Sequence, residues 1–275
     1  MQIKFTKRYS HGLDFTAAYS FQKELTVGAE TFDPAFAPVN PAINNLDNLR
    51  SNKVISGLSM PHRLAIGANY TTPKLKTFAP LSYGMRDWTF GAYLVYNSGR
   101  PIQAPAAQAQ PGEAPLASLL SLCAPMTVLG ACKGYQGASS FANRVPGQPL
   151  YLTDLNSSFD PFQTFTLNPA AWSQPAAGQF GTGSAYYNDY RYRRQETENL
   201  SLARIFRLRE GMNLSIRIEL MNAFNRVLIP NPSAGNALET QRRYADGRTQ
   251  SGFGYVNAIN TGGQRTGQLV ARFNL

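Results

Sequence analysis

The chain has little charge, two histidines, two cysteines and no long apolar run. Charged residues make up 15% of the 275, where about 25% is usual for a soluble protein. No apolar stretch approaches the roughly 20 residues that a membrane helix requires, which excludes a helical membrane protein. It does not exclude a membrane β-barrel, whose alternating strands register only mildly on a hydropathy scale. His11 and His62 are the only histidines, and no serine-nucleophile motif, HExxH or phosphate-binding glycine loop occurs. An enzyme is therefore not expected, nor any cofactor or metal site. Cys123 and Cys132 stand alone in "LCAPMTVLGACKG". Without a histidine cluster they make a poor metal site. They read as a loop disulfide of an oxidising compartment, or else as two unrelated buried thiols. The net charge is +10, yet no run of five Lys/Arg and no nucleic-acid module is present. Nucleic acid is not an expected partner, whereas an acidic membrane surface or an anionic ligand is compatible with the charge.

What the sequence has is alternation. In "MNLSIRIELMNAFNR", Met212, Leu214, Ile216, Ile218 and Leu220 alternate with Asn213, Ser215, Arg217 and Glu219. A period of two marks a strand with two unlike faces. Six further segments repeat it: "QIKFTKRY", "LDFTAAYSF", "HRLAIGANYTT", "DWTFGAYLVYN", "NLSLARIFRL" and "GQLVARFNL". Seven strands follow, and the fold class is all-β and antiparallel.

The connections alternate too. "SHG", "PKLKTFAPLSYG" and "REG" are the short joints, and long segments cover about 22–61, 98–195 and 227–265. In an up-and-down meander every second connection falls on the same side, so the short joints share one end and the long loops the other. Soluble domains rarely carry several loops beyond about 15 residues. Outer-membrane barrels do, with short periplasmic turns and long extracellular loops.

Alternation alone fits a sandwich or a barrel equally. The loop asymmetry tilts the choice, and so does the placement of aromatics on the apolar parity. Tyr9, Tyr70, Trp88 and Phe206 lie near the short turns, and Tyr19, Phe21 and Tyr96 near the long loops. Such girdles mark the two interfaces of a barrel. The opposite parity carries Arg63, Arg217, Glu219 and Arg272, which would then line the lumen. Slipping the Met212 strand by one residue would move Arg217 and Glu219 into hydrocarbon, at roughly 2–4 kcal/mol for a mid-bilayer arginine. Two residues break the pattern. Lys7 sits on the apolar parity near a turn, where it can snorkel. Arg204 sits mid-strand among Leu200, Leu202 and Phe206, and a bulge near Ala203 is the expectation that would turn it inward.

Seven strands leave two open edges, whereas single-chain bacterial barrels have an even number of strands from 8 upward. Open edges are costly in lipid. The start, "MQIKFTKRYSHG", is already a strand and lacks the features of a secretion signal. The expectation is a partial barrel, 1–275, from a longer polypeptide whose signal peptide and remaining strands lie elsewhere.

With those segments on the page, the chain resembles the C-terminal barrel strands of TonB-dependent outer-membrane receptors, the Oar-like group with a carboxypeptidase-regulatory-like domain. The likeness rests on "PHRLAIGANYTTP", "WTFGAYLVYNSGRPI", "ENLSLARIFRLREGMNLSIRIELMNAFNR" and "GQLVARFNL". It covers most strands and little of the loops. The terminus departs from the pattern, with Leu275 where an outer-membrane barrel usually ends on an aromatic. The resemblance implies a 22-stranded barrel with a plug domain that couples to TonB, neither plug nor coupling segment being part of these residues. It implies uptake of a small ligand across the outer membrane of a Gram-negative type cell. Outer-membrane lipid and lipopolysaccharide would then be partners. The alternative is a surface structural or adhesive β protein without TonB coupling. The candidate ligand-contact segment is the Tyr/Arg-rich stretch holding Tyr186, Tyr187, Tyr190, Arg191, Tyr192, Arg193 and Arg194, two residue types that dominate binding hot spots. A rim that binds lipopolysaccharide phosphates is the competing reading of the same residues.

Overall fold

The computed structural model describes residues 1–27, 49–73, 79–107, 141–176, 181–209, 211–260 and 262–274. Cys123, Cys132 and Leu275 lie outside the described residues. Seven strands form one sheet: β1 (Gln2–Ser10), β2 (Leu13–Phe21), β3 (His62–Thr71), β4 (Trp88–Asn97), β5 (Gln195–Arg209), β6 (Met212–Met221) and β7 (Thr266–Asn274). Each pairs antiparallel with its neighbour in chain order, from β1 through to β7. The sheet is open: β1 is bonded only to β2, and β7 only to β6, among the described residues.

The turn between β1 and β2 shows why the short joints are short. His11 (φ 53°) and Gly12 (φ 81°) both take left-handed conformations, the geometry of a two-residue hairpin whose twist matches the strands. A side chain at Gly12 would also meet the Thr71 carbonyl at 2.3 Å. The β3–β4 connection at the same end holds the sheet's only adjoining helix among the described residues, α1 (Ala79–Met85).

Register is coherent across the sheet. Tyr70 of β3 stands opposite Phe90, Phe90 opposite Leu202, Leu202 opposite Ile218, and Ile218 opposite Leu269. One residue along each strand runs a polar row: Asp14, Asn69, Gly91, Ser201, Glu219 and Gln268. The two faces predicted from single strands are therefore two continuous surfaces, since a slip at any pair would have exchanged them.

Arg204 corrects the sequence reading. β5 pairs with β4 in unbroken register from Gln195 to Arg204, and its irregularity against β6 falls between Arg207 and Arg209. No bulge forms at Ala203, and Arg204 remains on the apolar face opposite Trp88 and Ile216. The reason is local: aromatic rings surround its guanidinium, with centroids 5.1 Å away at Trp88, 5.7 Å at Tyr83 and 4.7 Å at Phe206. Cation–π attraction offsets part of the cost of an apolar surround.

The buried core is not on the sheet. Val95 is the one apolar side chain of β1–β7 that is buried among the described residues, while Ile3, Phe5, Phe90, Ile218, Leu269 and Phe273 are exposed. The core sits in the long connections: Val54 and Ile55 from the first, Ile102, Phe141, Leu167, Trp172, Tyr186 and Tyr190 from the second, Ala237 and Phe253 from the third. A sandwich would bury its sheet; this molecule buries its loops. The "SAGNALETQRRYADGRTQSG" segment, which has no strand period, is held there by irregular backbone bonds such as Gly254 N to Ser233 O (2.7 Å) and Phe253 N to Glu239 O (3.2 Å).

Candidate functional site

Within the loop body, the second long connection folds around a cavity of about 330 Å³, at the lower end of the range for small-molecule sites. Tyr151, Asp154, Asn156, Asp189, Arg191 and Arg194 supply its polar lining, and Tyr192 an aromatic wall. The strand Tyr186–Arg191 positions this lining by pairing with Pro101–Gln103. Gly99 lets the backbones meet: a Cβ there would lie 1.7 Å from the Tyr192 carbonyl.

Arg191 ties the loops together at this cavity. Its Nη1 donates to Ser59 O (2.7 Å) and Gly99 O (3.0 Å), its Nε to Asn188 O (2.8 Å) and its Nη2 to Asn188 Oδ1 (2.9 Å). The rigid fork of a guanidinium suits such multiple donation. Burial lowers the Arg191 pKa from its ordinary value, because the charged form loses hydration. Tyr151 crosses the same junction: its hydroxyl donates to Arg191 O (2.8 Å) and accepts from Arg191 N (2.5 Å). Burial pushes Tyr151 up to about 12. Burial also raises Tyr190 and Tyr192. Asp189 is held by both terminal nitrogens of Arg144, at 3.1 and 2.7 Å, and that bond raises the Arg144 pKa.

The Tyr/Arg segment singled out from the sequence thus divides by role. Tyr186 and Tyr190 are core, with Tyr190 fully buried against Tyr151 (5.7 Å between centroids) and Trp172 (5.4 Å). Tyr187 packs on that core, stacks under Arg144 (5.1 Å) and accepts from Ser184 N (2.9 Å). Arg191, Tyr192 and Arg194 line the cavity. Arg193 is half-buried. Sequence reasoning missed Tyr151, Asp154, Asn156 and Asp189. Only the short "TDLN" turn signal, in which Asp154 Oδ1 accepts from Asn156 N (2.8 Å), pointed to two of them.

A second missed cluster joins the cavity to the sheet. Arg194, Glu196 and Glu198 alternate along the loop end of β5. Arg194 Nε meets Glu196 (2.6 Å), and Arg226 bridges Glu196 (2.9 Å) and Glu198 (2.5 Å). Tyr96 Oη donates to Glu198 (2.9 Å), whose side chain is 2% exposed. Arg226 closes the "MNAFNR" motif. There Asn222 and Asn225 take left-handed φ values of 49° and 53°, and Asn222 Nδ2 donates to Arg226 O (2.8 Å). The motif ends β6 and returns the chain to β5, with Ala223 N donating to Glu198 O (2.7 Å). The alternation Arg-x-Glu-x-Glu at a strand end was the available signal.

On the polar face, Arg217 Nε pairs with Glu219 Oε1 at 2.8 Å, and Gln268 donates to the other Glu219 oxygen. Arg272 stands opposite Ser215, and Arg63 opposite Ser20 and Asn97. Asn69 Nδ2 donates to Asp14 Oδ2 (2.9 Å). All four residues expected to line a lumen share this face. Among the described residues no group of three or more His, Cys, Asp or Glu could hold a metal ion.

An uncovered apolar sheet face, a charged opposite face and a core confined to the loops at one end define a class: a membrane protein that crosses by strands. No helix among the described residues is long and apolar enough to cross a membrane. The chain belongs to the family described as outer membrane beta barrel domain, which matches residues 1–268. Its place is the outer membrane. No curated protein matches the chain.

Proposed function

We propose that the chain is the C-terminal barrel segment of a TonB-dependent receptor that takes up a small polar ligand across the outer membrane. The observation that carries this reading is the position of the core. Long connections from three strand pairs converge into one packed body at a single end of the sheet, and within that body the second connection forms a polar cavity. Loops serving only to join strands have no need of a common core, whereas a capture site requires pre-organised side chains. In this reading Arg194, Asp154, Asn156 and Tyr192 meet the ligand, and Arg191 and Tyr151 hold the cavity's shape. Arg63, Arg217, Glu219 and Arg272 surround a plug supplied by another part of the polypeptide, and energy arrives through TonB. Lipopolysaccharide surrounds the loop end.

The test is accumulation of radiolabelled iron chelates, vitamins, oligosaccharides and short peptides by cells with and without the gene. The reading expects one class to be lost on deletion, and lost equally from intact cells treated with a protonophore. Unchanged accumulation of every class, with surface adhesion lost instead, would support the structural or adhesive alternative.

A further inference from the structure

The apolar face carries a cation that no carboxylate answers. Arg204 lies at the short-turn end of that face, between Trp88 on β4 and Ile216 on β6. Its Nη2 donates to Tyr83 O (2.5 Å) from α1. Trp88 Nε1 donates to Gly84 O (2.9 Å), and Thr72 Oγ1 to Met85 O (2.6 Å), so helix and strand ends are fixed to each other. Arg86 stacks on the Tyr83 ring as well, at 4.7 Å. The nearby acid is Asp87, which Arg86 (3.5 Å) and Arg207 (3.3 Å) already share. Three guanidiniums against one carboxylate leave two positive charges in excess, and Arg204 is the one without an acidic partner among the described residues.

We propose that Arg204, with Tyr83, Trp88 and Arg86, binds the phosphate of an anionic phospholipid in the periplasmic leaflet. The inference rests on the short turns being periplasmic and the apolar face meeting lipid. The chemistry follows from position. Tyr and Trp belong at the headgroup level of a membrane, where one end of the ring is wet and the other greasy. A guanidinium there has apolar walls on its flanks and remaining N–H groups that can donate to phosphodiester oxygens in fork geometry. Charge complementarity selects the anionic headgroup over a zwitterionic one. The rings orient the fork so that it presents to the interface rather than retreating to the polar face. This also accounts for the absence of a bulge: the sheet keeps Arg204 on the lipid side because a partner lies there.

The full polypeptide, purified from outer membranes and placed in bilayer discs of equal phosphatidylethanolamine and phosphatidylglycerol doped with lipopolysaccharide, is analysed by native mass spectrometry for the lipid it retains. Wild-type protein should retain phosphatidylglycerol in preference. Arg204→Gln should lower that retention roughly fivefold, the scale of one basic side chain at an anionic lipid surface. Arg204→Lys, which keeps the charge and loses the fork, should fall between them. Heat-modifiable gel migration shows that each variant is folded. Equal retention by wild type and a folded variant overturns the proposal, and so does retention of lipopolysaccharide in place of phospholipid. A separate readout guards the premise. In a Trp172→Phe background Trp88 is the sole tryptophan, and brominated acyl chains should quench it. Quenching with no lipid preference overturns the site alone; absence of quenching overturns the membrane-facing reading as well.

Discussion

The Glu198 carboxylate and the Arg226 guanidinium meet in a two-pronged ion pair, Nε to Oε2 at 2.5 Å and Nη2 to Oε1 at 2.9 Å. The pair closes the loop end of the β5–β6 hairpin, where the sheet gives way to the loop body. Glu198 lies on the same parity as Leu200 and Leu202, at the last position before the apolar face becomes hydrocarbon-compatible.

Removing Arg226 should therefore cost more than removing an exposed arginine. Arg226→Gln leaves a carboxylate of 2% exposure with only Tyr96 for a partner. The expected destabilisation is about 1–3 kcal/mol, the penalty of an unmatched buried group. Unfolding in urea, followed by heat-modifiable migration, measures it. The double variant Glu198→Gln/Arg226→Gln should be less destabilised than the sum of the two single changes.

Arg191→Lys should loosen the loop body without touching the sheet. Lysine cannot reproduce the four bonds that reach Ser59, Gly99 and Asn188. Limited proteolysis should cut the loops several-fold faster, roughly the effect of 1 kcal/mol of local opening. Arg193→Lys, at the neighbouring half-buried position, should leave the pattern unchanged.

How much of this was legible beforehand varied by region. The seven strands follow directly from period-two patterning, because each strand meets two different environments and its side chains record both. The loop body left no such record. Its buried residues, Ile102, Phe141, Leu167, Tyr190 and Phe253 among them, are spread through irregular backbone, where no periodicity ties side chain to environment. Tyr190 illustrates the consequence: in the sequence it belongs to a conspicuous Tyr/Arg stretch that suggests contact with a ligand, yet it is wholly enclosed. Arg204 failed for another reason. Phe206 neighbours it in the same strand, but the other two rings, Trp88 and Tyr83, come from β4 and the β3–β4 connection, and long-range pairing of this kind cannot be read from one strand.

The loop tyrosines make alkaline pH a probe of the cavity. Tyr151, pushed up to about 12 by burial, sits above its ordinary value of 10.0. A group whose folded pKa is raised contributes stability that is complete below the unfolded pKa and is lost as pH rises through the folded one. The loop body should therefore hold its full stability below pH 10 and lose it towards about pH 12. Absorbance titration at the tyrosinate band should show Tyr151→Phe lacking one of the late-titrating groups.

Gly99→Ala should separate the strand segments that bound the cavity. Its Cβ would fall 1.7 Å from the Tyr192 carbonyl, a backbone atom that cannot rotate away. The Tyr192 N to Arg100 O bond (2.8 Å) is then lost. Overpacking of this kind costs about 1–3 kcal/mol. Tryptophan fluorescence from Trp172, buried in the same core, should shift to the red.

The central claim is that the apolar face of the sheet contacts acyl chains and the polar face contacts water. Single nitroxide labels along β6, in a chain with Cys123 and Cys132 replaced by serine, test it position by position. Collision with oxygen should peak at Leu214, Ile216 and Ile218, and collision with a water-soluble nickel chelate at Ser215, Arg217 and Glu219. Equal access of the nickel reagent to both sets, or protection of the Leu214 set from both reagents, would contradict the account.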